Sequence, residues 1–286
     1  MTRPWGTWPR YTRSWGPSWV RPLVELVLLE KIYGPYRPED FTPALLTLCS
    51  GLEVDVRVVG TAGRGWLVVE VSGEDEEVAI RLVEEEMGLA PVEPGRLSRY
   101  DEVRGRILSL ADDGLVVDIG VFRPLNLDAL VPLGALRAQL ADGLGLSMAE
   151  LSSLFCLSAG LPFEVELSED PSPPGPVEAG PSEGQVRELE EWVSSGLDRL
   201  VITGASHHAV KKAVGGSGLH KHVLAVERLG ALENCVVLKL GAPVGKLFGV
   251  LRRRLPWANI MVFRPGRVLD VLPGRFGRLF LTWGRP

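Results

Sequence analysis

The stretch "VRGRILSLADDGLVVDIGV" (residues 103–121) decides how the middle of this chain is read. Two runs rich in β-formers flank Asp112, Asp113 and Gly114, a turn sequence that favours a tight hairpin. Side chains two apart share a strand face, so Arg104 and Arg106 point the same way, with Asp118 on the partner strand. The next residues extend the pattern. "DALVPLGAL" (128–136) reads as a short strand running into a helical turn. "SMAELSSLF" (147–155) reads as a short helix whose Ser147 and Glu150 have capping-box spacing. "LPFEVELSED" (161–170) is a fourth strand, and the stiff loop "PSPPGP" precedes a fifth at "VEAG" (177–180).

Five strands with helices between the third and fourth are the plan of an OB-type barrel, expected over residues 96–181. On its upstream side, "LVELVLLEK" reads as a strand and "PEDFTPALLTLCSGL" as a helix closed by Gly51. "EVDVRVVG" and "GWLVVEVSG" form an alternating hairpin, and "EDEEVAIRLVEEEMG" a helix with an acidic start and a glycine end. With a short last strand near Val92, residues 23–95 have the βαββαβ order of a ferredoxin-like unit. Downstream, residues 182–264 repeat that order: a leading helix "SEGQVRELEEWVSSG", then "DRLVITG", a helix from Ser206, "HVLAVERLG", "NCVVLKLG", "PVGKLFGVLRRRLP" and "ANIMVF". The expected class is α+β, with two ferredoxin-like βαββαβ units flanking a central OB (S1-like) β-barrel.

Composition bounds the rest. A hydrophobic content of 45% with 23% charged residues is that of an ordinary globular protein. No run approaches the roughly 18 apolar residues of a membrane span. Glu25 and Glu30 interrupt the apolar run that would otherwise resemble a signal-peptide core. Three scattered cysteines, Cys49, Cys156 and Cys235, form no C-x-x-C and no even framework, which fits a reducing cytoplasm. Twenty-five Arg against six Lys, and only five Asn plus Gln, fit a heat-adapted source or GC-rich coding.

The net charge of −5 hides a polarity. Residues 1–22, a basic arm rich in Trp and Pro, carry +4, and residues 252–286 carry +7, which leaves −16 on the remainder. If the protein meets a polyanion, the ends are the expected contacts. The candidate phosphate-binding residues are Arg252, Arg253 and Arg254 at a helix end, then Arg264, Arg267, Arg275 and Arg278 toward the basic tail (265–286), together with Arg104 and Arg106 on the barrel. Phe276, Phe280 and Trp283 either stack on bases or anchor the tail.

Walker A, G-x-S-x-G, H-E-x-x-H and a properly placed G-x-G-x-x-G are all absent. All four histidines, His207, His208, His220 and His222, fall within sixteen residues. They are weak metal candidates. A helix of about nine residues would hold the two pairs roughly 13 Å apart, too far for ligands that each lie about 2 Å from one ion. No cofactor is expected.

The span 103–180 resembles the S1-type OB domain of RNA-binding proteins, on "VRGRILSLADDGLVVDIG", "DALVPLGAL" and "LPFEVEL". That resemblance implies RNA binding by the barrel. The family's stacking aromatics fall, however, on Asp112, Val116 and Pro132, which removes contacts worth about 1–3 kcal/mol per base. Arg104 and Arg106 then remain as phosphate contacts, or, as their cross-strand position favours, as partners of Asp118. Across 23–264 the order of units, with "DIGVFRPLNLDALVPLGALRAQLADG" and "VERLGALENCVVLKLG", resembles an archaeal family of conserved proteins of unknown function. The expectation is a non-enzymatic nucleic-acid-binding protein, RNA or a ribonucleoprotein being the partner, that acts through its basic ends and barrel. The alternatives are a protein-interaction scaffold and, third, a metal-dependent enzyme near the histidines.

Overall fold

The strand β1 (Val24–Lys31) alternates in burial, with Val24, Leu26 and Leu28 turned to one side. The structure, a computed structural model, describes residues 24–276. The chain continues through α1 (Thr42–Leu48), β2 (Val54–Ala62), β3 (Trp66–Gly73) and α2 (Glu76–Met87). The strands form an antiparallel sheet in the order β1-β3-β2. The apolar side chains of one face, among them Leu28, Val56 and Val69, pack on Leu45 of α1 and Ala79 and Val83 of α2. Glu76 and Glu77 lie in the first turn of α2, where the helix dipole favours acids, and Gly88 ends it at φ +70°. The strand expected near Val92 does not form. After one antiparallel bridge, Leu28 to Leu89, Pro91 withholds an N–H and Val92, at φ +65°, turns the chain to bridge Val121 instead.

That second bridge leads into a closed barrel of β4 (Glu102–Ala111), β5 (Gly114–Val121), β6 (Leu127–Pro132), β7 (Pro162–Leu167) and β8 (Val177–Pro181). Its cyclic order is β4-β5-β6-β8-β7, with β6 and β8 parallel and every other pair antiparallel. Closure leaves no free edge. Alternation fills the interior with Val103, Ile107, Leu115, Val117, Ala129 and Val165. At Gly105, between the two arginines of β4, a Cβ would lie 2.5 Å from the Asp118 carbonyl, so only glycine fits. After β6 come α3 (Leu133–Leu140) and α4 (Met148–Phe155). Helix α4 starts with the expected capping box, Ser147 and Glu150 bonding each other's backbone N–H, and buries Leu151, Leu154 and Phe155.

The last part comprises α5 (Glu183–Ser194), β9 (Arg199–Thr203), α6 (His207–Gly215), β10 (Val223–Arg228), β11 (Glu233–Leu238), α7 (Val244–Arg254), β12 (Asn259–Phe263) and α8 (Pro265–Val271). Its sheet is antiparallel, ordered β10-β11-β9-β12. Every residue of β9 and β11 is buried because both faces are covered. Leu200, Ile202, Val236 and Leu238 face α6 and α7. Val201, Cys235, Val237 and Phe263 share one continuous core with the barrel, α4, α5 and α8. This is why the apolar residues of these strands, "LVI" in β9 and "CVVL" in β11, run consecutively rather than alternating.

Two expected segments change meaning. Helix α5 packs with the barrel core through Leu189, Trp192 and Val193. The presumed tail begins as α8, whose Val268 is buried along with the following Leu272 and Phe276, so Phe276 anchors rather than stacks. The molecule is thus mixed α+β, a closed five-stranded barrel between two flanking sheets with their helices. Among the described residues no helix is long and apolar enough to cross a membrane.

Phe263 ties the last sheet to the barrel core, with its ring 5.5 Å from that of Trp192 in an edge-on contact. Phe263→Ala is expected to cost about 3–5 kcal/mol in urea denaturation. Hydrogen exchange should show protection falling in the barrel and the last sheet together, because they share one core.

Candidate functional site

Arg106 does not face solvent. It is 2% exposed, and its guanidinium lies between carboxylates from two other units: Glu30 of β1, which it bonds directly, and Glu233 of β11, at 3.7 Å. It also donates to the Leu29 carbonyl at 2.9 Å. Glu30 in turn accepts from the backbone N–H of Ala231 at 2.8 Å. The Tyr33 hydroxyl donates to Glu233 and accepts from the Gly204 N–H at 3.1 Å. On the neighbouring strand, Asp118 pairs with Lys31 and accepts from Trp66 Nε1 at 3.3 Å, while the Lys31 ammonium lies 4.5 Å from the Trp66 ring. Arg106 and Asp118 are register partners, as the spacing predicts, but each takes its ionic partner from a different domain.

Burial dominates the electrostatics. It raises the Glu233 carboxyl above its ordinary range against the pull of Arg106, and it raises the Tyr33 phenol with help from Glu233, so Tyr33 keeps its proton and donates. Burial lowers Lys31, with Asp118 opposing. For Arg106 burial also acts to lower, but Glu30 and Glu233 outweigh it and the guanidinium stays charged. Among the described residues, Nε and Nη1 of Arg106 and Oε2 of Glu233 have no hydrogen-bond partner.

These contacts cover part of the barrel's outer surface. Arg106 and Asp118 are buried under the first unit, and Arg64 from the β2–β3 hairpin pairs with Asp128 of β6 at 2.6 Å. Arg104, although exposed, donates to the Leu229 carbonyl in the β10–β11 turn at 2.6 Å. Arg106 is therefore a joint between units and not a phosphate contact, and Arg104 is tethered beside it.

The other candidate cations divide. Arg275 is committed to Asp142 at 2.9 Å and Glu190 at 2.7 Å, which corrects its reading as a phosphate contact. Arg254 is exposed and donates to the Gly216 carbonyl. Arg252, Arg253, Arg264 and Arg267 are exposed. Arg252 and Arg253 precede β12, at the end of α7, and Arg264 and Arg267 follow it, at the start of α8. Arg278, Phe280, Trp283 and the arm 1–22 lie outside the described residues.

Among the described residues no three His, Cys, Asp or Glu side chains come close enough to hold one metal. His208 and His220 are exposed and His222 is half-buried beyond α6. His207 is different, because its Nδ1 lies 2.8 Å from Oδ1 of the fully buried Asn234. It also lines a cleft of about 660 Å³ between α1 of the first unit and the start of α6. Sequence reasoning missed Glu30, Tyr33, Glu233 and Asn234. The available signal was a charge or amide inside an otherwise apolar strand, as in "LVLLEK" and "ENCVVL", where a polar group implies a buried partner.

Arg106→Ala leaves Glu30 and Glu233 buried without their cation, and is expected to cost about 3–5 kcal/mol of unfolding free energy. Because Glu233 has a raised folded-state pKa, its contribution to stability is present at acid pH and is lost as pH rises through that value. The difference between the wild type and Glu233→Gln in urea midpoint should therefore change with pH above the ordinary carboxyl value of 4.5, the wild type losing ground as pH rises.

Models for the three domains of one family match residues 25–92 (N-terminal domain), 97–193 (central domain) and 197–243 (C-terminal domain). The central match runs through α5, in keeping with the packing of that helix on the barrel. No curated protein matches. Among solved structures, the intact alpha subunit of aIF2 from Pyrococcus abyssi is 9% identical over 59% of this chain and 97% of its own, with a TM-score of 0.22. A protein from Thermus thermophilus is 12% identical over 95% of this chain and 44% of its own, with a TM-score of 0.18. Neither likeness is close enough to carry an argument. The three matched stretches follow the three structural units in order, and the chain belongs to the DUF2110 family.

Proposed function

We propose that the protein binds nucleic acid, RNA in the first place, through its C-terminal unit, with the barrel holding the units together. The observation that supports this is the segregation of charge. Residues 24–198 hold 33 Asp and Glu against 12 Lys and Arg, whereas residues 199–269 hold 12 Lys and Arg against Glu227 and Glu233 alone. Both of those acids are engaged within the fold, Glu227 with Arg199 and Glu233 at the Arg106 joint. Helices α6 and α7 cover one face of the last sheet and contain no acid at all. Their exposed cations include Lys211, Lys212, Lys246, Arg252 and Arg253. Cations without internal carboxylate partners suit a polyphosphate, whose binding is driven by counterion release.

In this reading the barrel is OB-type and S1-like, supported by its cyclic strand order and parallel β6–β8 pair. The flanking units are ferredoxin-like. The order β10-β11-β9-β12 with two helices on one face supports this for the last unit, and β1-β3-β2 supports a version lacking its fourth strand for the first. Three free, buried cysteines support a reducing, cytoplasmic setting. The acidic half favours a second reading, a scaffold that meets a basic protein.

The test is fluorescence anisotropy of labelled single-stranded RNA across a salt series. Binding at low salt is expected, with log affinity falling linearly against log salt. The double variant Arg252→Ala/Arg253→Ala should reduce that slope by about 0.7 for each phosphate it no longer neutralises. Arg104→Ala should leave the slope unchanged. Absence of binding at low salt, or a greater weakening by Arg104→Ala than by the helix variant, overturns the proposal.

A further inference from the structure

The cleft beside His207, about 660 Å³, falls within the size range of small-molecule sites. Its first-unit side is apolar over Leu28, Phe41, Leu45, Leu48, Leu67 and Met87, with Tyr36, Asp40, Thr47 and Glu86 among them. Half of its lining residues are polar, and the structure fixes what two of them can do. Asn234 donates through Nδ2 to the Ala205 carbonyl at 2.7 Å, which orients the amide so that Oδ1 faces His207 Nδ1 at 2.8 Å. Nδ1 must then carry the ring proton, and Nε2 is the nitrogen with the lone pair. Burial lowers the His207 pKa, which favours the neutral ring. Tyr36 Oη accepts from the Ser206 N–H at 2.9 Å, so its own proton remains to donate. Ser206 precedes His207, so this donor and this acceptor sit at the same end of the cleft.

The charged lining is of mixed sign. Asp40 and Glu86 of the first unit and Arg228 of the last all line it, and Glu30 is already engaged by Arg106. We propose that the cleft binds a small, uncharged and largely apolar molecule whose polar end is an amide or hydroxyl group. That group donates to His207 Nε2 and accepts from the Tyr36 hydroxyl, while the apolar body lies against Leu45, Leu48 and Leu67. The proposal does not rest on the nucleic-acid reading, since it concerns an uncharged ligand held in the cleft at the start of α6 rather than the exposed cations farther along α6 and on α7.

The test uses the full chain, labelled with ¹⁵N-histidine, and three probes: octanamide, 4-phenylbutanamide and 1-octanol. Octanoate and octylamine serve as charged controls. At least one uncharged probe is expected to bind saturably, to move the His207 Nε2 resonance, and to bind at least tenfold tighter than either control. His207→Phe should weaken that probe at least tenfold by removing the acceptor. Leu45→Trp should do the same by filling the floor, and circular dichroism with urea denaturation establishes that each variant is folded. If Leu45→Trp does not fold, the partly exposed His207→Phe decides alone. The proposal is overturned if none of the three probes binds saturably, if binding leaves Nε2 unmoved, if His207→Phe binds as the wild type does, or if the charged controls bind as well.

Discussion

The guanidinium of Arg106 is withdrawn from water on β4 and meets Glu30 from the first unit and Glu233 from the last. A charge so placed is costly alone and tolerable only where its partners are held in position, which makes the joint a constraint on the relative placement of all three units. The surrounding contacts serve the same end. Tyr33 bonds Glu233 and the Gly204 backbone, and Ala231 bonds Glu30. Lys31 and Trp66 together satisfy Asp118 on the next strand. Ion pairs of this kind add little net stability compared with an apolar joint, yet breaking one leaves an uncompensated charge, so they define one arrangement against its alternatives.

On the barrel's outer face Arg106, Asp118 and Asp128 are spent on contacts with the flanking units. The last unit differs in charge, since α6 and α7 carry cations and no acids. The acids concentrate in the first unit and the barrel, so the two halves differ in electrostatic character while sharing a continuous core across β9, β11 and the barrel.

The cleft also depends on the joint. The segment after β1 carries Tyr33 and Tyr36 across to the loop between β9 and α6, where they receive the N–H groups of Gly204 and Ser206. Gly204 adopts φ +85°, and a Cβ there would lie 3.5 Å from the Tyr33 ring, so the residue is glycine for its backbone rather than for space. Holding α6 at this distance from α1 leaves the apolar space between them, and Asn234 beneath it sets which nitrogen of His207 faces outward.

The sequence by itself determined the local elements and the order of the units. Hydrophobic periods of 2 and 3.6, the Asp-Asp-Gly turn and the Ser147–Glu150 box depend on near neighbours, and they appear where the pattern puts them. It did not determine which charges are solvated. Arg104 and Arg106 are alike in one strand, but the flanking units bury one and leave the other exposed, a difference set by residues 76 and 127 positions away. The missing strand near Val92, the attachment of α5 to the barrel and the orientation of His207 were likewise decided in the tertiary structure. Each depends on contacts between segments far apart in the chain, and local periodicity carries no information about those.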